Sequence, residues 1–208
     1  LPQKFITFEG PDGAGKTTVM KEIAQQLTDR GFSVVCTRDP GGTKLAEDIR
    51  QILLNPASKI EPCAEALLYA AARAQLVAEV ILPALLQGKV VLCDRFVGSS
   101  YAYQGDARGL GAEYIEAINK PAIEKAGSFF TILLHINPEI GAKRSAGKDR
   151  IEQEGLRFRQ GVEFGYWRYW ARNSKNIYPI DALCPIEKVC EEALNAVLDY
   201  LKGEKQHA

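Results

Sequence analysis

Lys4-Phe5-Ile6-Thr7-Phe8-Glu9-Gly10-Pro11-Asp12-Gly13-Ala14-Gly15-Lys16-Thr17-Thr18 decides the architecture. Residues 10–17 fit G-x-x-x-x-G-K-[ST], the pattern of a loop that cradles nucleotide phosphates. Residues 4–9 read as a strand that runs straight into the loop. From Thr18 to Arg30 the spacing of Val19, Met20, Ile23, Ala24 and Leu27 predicts a helix, with Gly31 as its stop. Strand, glycine loop and helix N-terminus together aim backbone N–H groups at phosphate oxygens. A glycine turn with no ligand has no use for Lys16 and Thr17 at those two places. Lys16 reaches β and γ phosphates, and the Thr17 hydroxyl suits Mg²⁺. Gly10, Asp12, Gly13, Ala14, Gly15, Lys16, Thr17 and Thr18 therefore make up the expected ATP triphosphate site.

Outward from this unit, strands alternate with helices. Further strands are expected at 33–37, 89–94, 129–136 and 176–180, each nearly continuous in apolar or β-branched residues, as in parallel strands covered on both faces. The fold class is α/β: a P-loop NTPase-type three-layer fold with a parallel sheet of about five strands flanked by helices. All 208 residues read as a single domain. The stretch 61–86 predicts a long Ala- and Leu-rich helix, apolar over a wide arc, buried in the domain or covered by a second subunit. Pro83 should kink it or start a last turn. Residues 185–202 predict a closing helix, and the tail from Gly203 should fray.

Acidic and basic residues balance at 26 each, so no global basic field recruits nucleic acid. Five cysteines form no C-x-x-C pair. Cys36 and Cys93 fall in expected core strands and Cys190 on an apolar helix face, the usage of reduced, buried thiols in a cytoplasmic chain. No signal-peptide pattern occurs, and no apolar run approaches the ~20 residues of a membrane span, so no membrane partner is expected.

Val90-Val91-Leu92-Cys93-Asp94 is an apolar strand ending in a carboxylate, the place of the acid beside the metal in phosphate-loop proteins. Arg95 follows it, and Arg38 ends the strand before Asp39-Pro40-Gly41-Gly42. Two arginines at the carboxyl edge of the sheet, beyond those ATP needs, suggest a second phosphate-bearing ligand. The histidines look unsuited to act as a base: His135 is inside an expected strand and His207 is in the tail. A monophosphate acceptor is largely dianionic at neutral pH and needs cations rather than a base. A carboxylate such as Asp39 or Asp94 would be the base if the acceptor were a hydroxyl. Tyr69 and Arg73 share a helix face and can stack on and hydrogen-bond a nucleobase, or form a core Tyr and a surface Arg. Residues 99–105 (with Ser100, Tyr103 and Gln104) offer hydroxyls, rings and an amide to the same ligand, or a packed loop. Lys143 to Arg150 is short and basic, and we expect a mobile flap over about 143–156 that brings arginines onto transferring phosphate.

Six segments in order resemble thymidylate kinases of the bacterial type. They are Phe8–Thr18, Thr37–Thr43, Leu68–Gln75, Asp94–Phe96, Ala102–Gly105 and Asp149–Glu152. The resemblance implies ATP- and Mg²⁺-dependent phosphorylation of dTMP to dTDP by a cytoplasmic homodimer. It implies that Lys16, Arg95, Asp94 and Arg150 serve catalysis, with Thr17 and Asp94 at the metal. Arg38 and Arg95 would bind the dTMP phosphate, and Asp12 the sugar 3′-hydroxyl. Tyr69 would stack on thymine, Arg73 and Gln104 would bond its edge, and Tyr103 would pack on the sugar. Asp39 and Ser100 complete the acceptor set, and Arg144 would lie near adenine. Asp39 stands where the family motif carries Glu, one methylene longer. The short flap leaves Arg144, Lys148 and Arg150 as alternatives for the γ-phosphate contact. The rival readings are a deoxyribonucleoside kinase on a related scaffold and a nucleotide-binding regulator without turnover.

Overall fold

The computed structural model describes residues 4–145 and 149–203. Five strands, β1 (Phe5–Glu9), β2 (Val34–Arg38), β3 (Val90–Asp94), β4 (Phe130–His135) and β5 (Ile177–Asp181), form one parallel sheet in the order β2-β3-β1-β4-β5. All five match the expected strands within a residue or two. The helices are α1 (Lys16–Asp29), α2 (Lys44–Leu54), α3 (Pro62–Leu76), α4 (Leu82–Leu86), α5 (Val97–Ser100), α6 (Ala112–Ala126), α7 (Pro138–Arg144), α8 (Leu156–Asn173) and α9 (Ile186–Lys202).

Side chains alternate across a strand, so each strand feeds two cores. Ile6, Phe8, Leu92, Ile132 and Leu134 pack with Val19, Ile23 and Leu27 of α1 and Val189 and Val197 of α9. Phe5, Val91, Cys93 and Leu133 pack on the other face with Leu76, Ala122, Val162 and Tyr166. These faces make the three layers. β1 is central, and the parallel register sets Arg38 beside Asp94 and Asp94 beside Phe8. The chain then leaves β1 into the phosphate loop at the carboxyl edge. Two loop glycines are dictated by close approach. A Cβ on Gly10 would stand 2.1 Å from the Leu134 carbonyl oxygen, and one on Gly13 2.3 Å from that of Gly141.

Several expectations need correction. β2 is one of the two sheet edges, covered on fewer sides than its composition suggests, and Cys36 is exposed rather than core. Cys63 is also exposed, Cys184 and Cys190 are half-buried, and Cys93 alone of the five is fully buried. Helix α1 starts at Lys16, so Lys16 and Thr17 are its first residues rather than part of the preceding loop. The 62–86 helix is irregular before Pro83, in a wide turn over Val77–Ile81. Proline has no N–H and its ring crowds the carbonyl four residues back, here Glu79, so the preceding turn widens. By length and composition this helix would suit a bilayer, contrary to the sequence reading. Here it packs against α2 and α6, and Glu65 and Arg73 are ion-paired within the fold. Residues 99–105, for which a packed loop was one of two readings, lie instead in α5 and the wide helical stretch that follows it, Tyr101–Ala107, packed on α8. The tail beyond Gly203, His207 and Lys148 lie outside the described residues.

Candidate active site

Glycine at position 15 takes a left-handed φ of 84° and turns the chain into α1. Lys16 is thereby folded back, and its Nζ donates to the Pro11 carbonyl at 2.8 Å. Burial, reinforced by the like charge of Arg95, lowers the Lys16 ammonium to about 8. Anion binding favours the charged form, so the sign follows directly. Near pH 7 and below, the ammonium is already protonated and adds no pH dependence to the binding of inorganic tripolyphosphate beyond the ligand's own protonation. Above pH 8 binding must take up a proton, and affinity should fall toward about tenfold per pH unit. Calorimetry at pH 8.5 in buffers of different ionisation enthalpy should show that uptake, and Lys16→Met should abolish it. Equal proton uptake in both proteins would remove Lys16 as the cause.

Beside the lysine, the Thr17 hydroxyl donates to Asp94 Oδ2. A hydroxyl and a carboxylate in contact are hard oxygen donors. They fit Mg²⁺, which takes most of its ligands from phosphate and water. No cluster of three or more acidic, His or Cys ligands occurs among the described residues, and such a magnesium site requires none.

Arg95 is the non-glycine residue with a left-handed backbone, φ 69°, among the described residues. That conformation is held by contacts on every side. Its backbone N–H donates to Phe8, and its Nη1 donates to Gly10 O (2.8 Å), Ser99 Oγ (3.1 Å) and Tyr166 Oη (2.9 Å). Nη2 donates to Asp12 Oδ1 at 2.5 Å and Tyr103 Oη at 3.3 Å. Burial alone would raise the Asp12 carboxyl, but Arg95 and Lys16 outweigh it and hold it at about 2. Glu9, buried at the end of β1, accepts from the Phe96 N–H, Ser99 and Tyr166, and so braces the turn that carries Arg95.

On the acceptor side Arg73 is 1% exposed, not the surface arginine that one reading allowed. Its Nε donates to Asp39 Oδ2 at 2.5 Å, its Nη1 to Ser100 and Asn119, and its Nη2 to the Phe96 carbonyl. Four of its five protons are thus engaged, leaving one on Nη2. Burial, only partly offset by Arg73, holds the Asp39 carboxyl above its usual range.

Two adjoining clefts follow. One, of about 520 Å³, is lined by Tyr69, Arg73, Ser100, Tyr103 and Gln104. The other, about 960 Å³, is lined by Gly13, Gly15, Lys16, Thr17, Thr18, Arg38, Asp94 and Arg144. Asp12, Asp39, Arg50, Arg95 and Asp149 line both. Arg38 is exposed there and paired with Glu47 at 2.8 Å. Arg144 is exposed, with a bond to the Ala182 carbonyl. Gly10 and Ala14 belong to the same loop but line neither cleft, and Gly10 O accepts from Arg95 Nη1. Arg150 lines neither cleft. Its Nη2 bonds Glu65 at 2.6 Å and its Nε the Leu53 carbonyl, because a buried carboxylate captures it first.

A family model described as thymidylate kinase matches residues 8–193. The chain belongs to the thymidylate kinase family. A thymidylate kinase of Bacillus pumilus is 46% identical over 204 residues, 95% of this chain and 96% of that protein. One of Pelotomaculum thermopropionicum is 46% identical over 98% of both chains. The crystal structure of the Ehrlichia chaffeensis thymidylate kinase superposes with a TM-score of 0.78 at 29% identity, covering 95% of this chain and 99% of that one.

Some site residues of this thymidylate kinase family member were missed in the sequence. Arg50 falls within the Ala46, Ile49, Leu53 stripe of α2, and Glu65 lies four residues before Tyr69 on the face it shares with Arg73. Both are charges inside an apolar arc, a signal helical spacing could have supplied. Glu9, Asn119 and Tyr166 carry no such mark, since each becomes functional only through distant partners.

Proposed function

We propose that this chain transfers the γ-phosphoryl group of ATP to dTMP, giving dTDP and ADP. The carrying observation is the pair of clefts joined through Asp12, Asp39, Arg50, Arg95 and Asp149. ATP occupies the phosphate-loop cleft through Gly10–Thr18, with its adenine toward Arg144. dTMP occupies the other, its base against Tyr69, Arg73 and Gln104 and its sugar against Asp12 and Tyr103. Its phosphate then lies between Arg38 and Arg95, in line with the donor.

An acceptor phosphate oxygen forms the new bond to the γ phosphorus as the bond to the β–γ bridging oxygen breaks, and that electron pair leaves with ADP. The acceptor is already an anion, so no base is required. In keeping with this reading, no histidine lines either cleft, Asp12 titrates too low to take a proton, and Asp39, though held above its usual range, is engaged by Arg73. Lys16 and Arg95 stabilise the charge on the transferring group and hold both phosphates. Thr17 and Asp94 would hold Mg²⁺, which when bound supplies charge neutralisation across the β and γ phosphates. With Arg150 tied to Glu65, Arg144 is the flap cation that faces this cleft among the described residues.

The chain works as a cytoplasmic homodimer in this reading. What supports the dimer is the long α3–α4 helix, whose Leu67 and Leu86 are 50% and 63% exposed. Sedimentation at micromolar concentration should show twice the 22.9 kDa chain, and a monomer alone would count against it.

The activity is tested by ADP release over a panel of nucleoside monophosphates and thymidine. The expected result is turnover on dTMP and none on thymidine. Equal turnover on thymidine would favour a nucleoside kinase, and ADP release indifferent to any acceptor would overturn the proposal.

A further inference from the structure

We propose that Glu65 is a positioning residue for base selection: it locks the Gln104 amide with its carbonyl oxygen toward the base, so that the cleft accepts an N3–H donor. This deepens the dTMP reading and rests on it. Glu65 is in the first turn of α3, with its carboxylate fully buried. Gln104 Nε2 donates to Glu65 Oε1 at 2.9 Å. Arg108 reaches both carboxylate oxygens at 3.3 Å, and Arg150 reaches Oε2 at 2.6 Å. Burial would raise this carboxyl, but the Gln104 amide and the two guanidinium groups outweigh it and keep it below its ordinary range.

An ionised carboxylate accepts and never donates. Turning the Gln104 amide over would set two oxygens 2.9 Å apart with no proton between them. The amide nitrogen is therefore held toward Glu65. Gln104 Oε1 meets no donor among the described residues, and Gln104 lines the cleft. Beside it, Arg73 has one uncommitted Nη2 proton.

The cleft thus presents an acceptor next to a donor. A keto pyrimidine presents N3–H next to O4, which complements both. Cytosine presents an unprotonated N3 next to an amino group, which is wrong at both positions. A ligand mismatched at such polar groups leaves them buried and unpaired, and this is how hydrogen-bonding sites discriminate strongly. Gln104 by itself would read either base, since an amide has a donor end and an acceptor end. In this account the choice belongs to Glu65.

The test compares kcat/KM on dTMP and dCMP in wild type, Glu65→Gln, Gln104→Ala and the double variant. Glu65→Gln gains a donor at nearly unchanged shape, so Gln104 is free to turn. The dTMP:dCMP ratio should fall at least about tenfold, through KM, with kcat on dTMP within about threefold of wild type. In the Gln104→Ala background, Glu65→Gln should change the ratio no further. An unchanged ratio in Glu65→Gln, or the same drop in both backgrounds, overturns the proposal.

If Glu65→Gln fails to fold, the wild-type protein is read by nitrogen-15 NMR of the Gln104 side chain. One Nε2 proton protected from exchange supports the lock, and two protons exchanging at free-amide rates overturn it. A wild-type chain inactive on dTMP would instead sink the parent reading, a result distinct from either.

Discussion

Arg95→Gly should keep the fold and lose the reaction. The residue sits at φ 69°, where a side chain costs about 1–2 kcal/mol, and glycine removes that strain. Glycine's greater freedom when unfolded returns about 0.5–1 kcal/mol of the gain. Asp12 keeps Lys16 close by, so its charge is not stranded. The melting temperature should therefore stay within about 3 °C of wild type. Catalysis should suffer far more, because the guanidinium lines both clefts and is held by five side-chain and main-chain acceptors. A preorganised cation at a transferring phosphoryl group is worth about 10³-fold, so kcat/KM on dTMP should fall by about that or more. Arg95→Lys should recover little, since a point charge cannot span those acceptors. ADP-release kinetics beside a thermal melt decide it. Retention of a tenth of wild-type turnover would remove Arg95 from the chemistry.

Asp39→Ala should do the opposite and damage the fold first. Asp39 and Arg73 are both buried and meet at 2.5 Å. Their net worth relative to an apolar pair is small, because both charges lose water. Asp39 Oδ1 has no hydrogen-bond partner, which lowers the balance further. Removing one partner is another matter. Arg73 would stay 1% exposed with no counter-charge, at a cost of about 3–5 kcal/mol. For a chain of this length that lowers the melting temperature by ~10 °C, at about 2–4 °C per kcal/mol. Asp39→Glu keeps the charge and should lose less than half as much. A melt of Asp39→Ala within about 3 °C of wild type would mean that the Ser100, Asn119 and Phe96 contacts suffice for Arg73.

Much of the scaffold was legible because burial leaves a period. The apolar runs located all five strands, and the Val19, Ile23, Leu27 spacing located α1. Lys16 and Thr17 were legible because the loop's chemistry requires those residue types at those places. Cys36 was misread because a run of strand formers is equally apolar at an edge and in the centre, and position in the sheet is not local information. For residues 99–105 the sequence left a ligand-facing segment and a packed loop both open, because their small and polar residues face a cleft and α8, and the spacing then follows function rather than the helical period.

The chain by itself determined a parallel α/β sheet, a phosphate loop at its carboxyl edge, and a set of cations and rings for a second ligand. Tertiary structure alone decided which partner each of these takes. Asp39 lies 34 residues from Arg73, and Glu65 lies 85 from Arg150. Periodicity records which face of an element is buried, but not what is packed against it. A charge in a low-dielectric interior is claimed by whichever opposite charge the fold brings nearest, and that distance exists only once the chain has closed on itself.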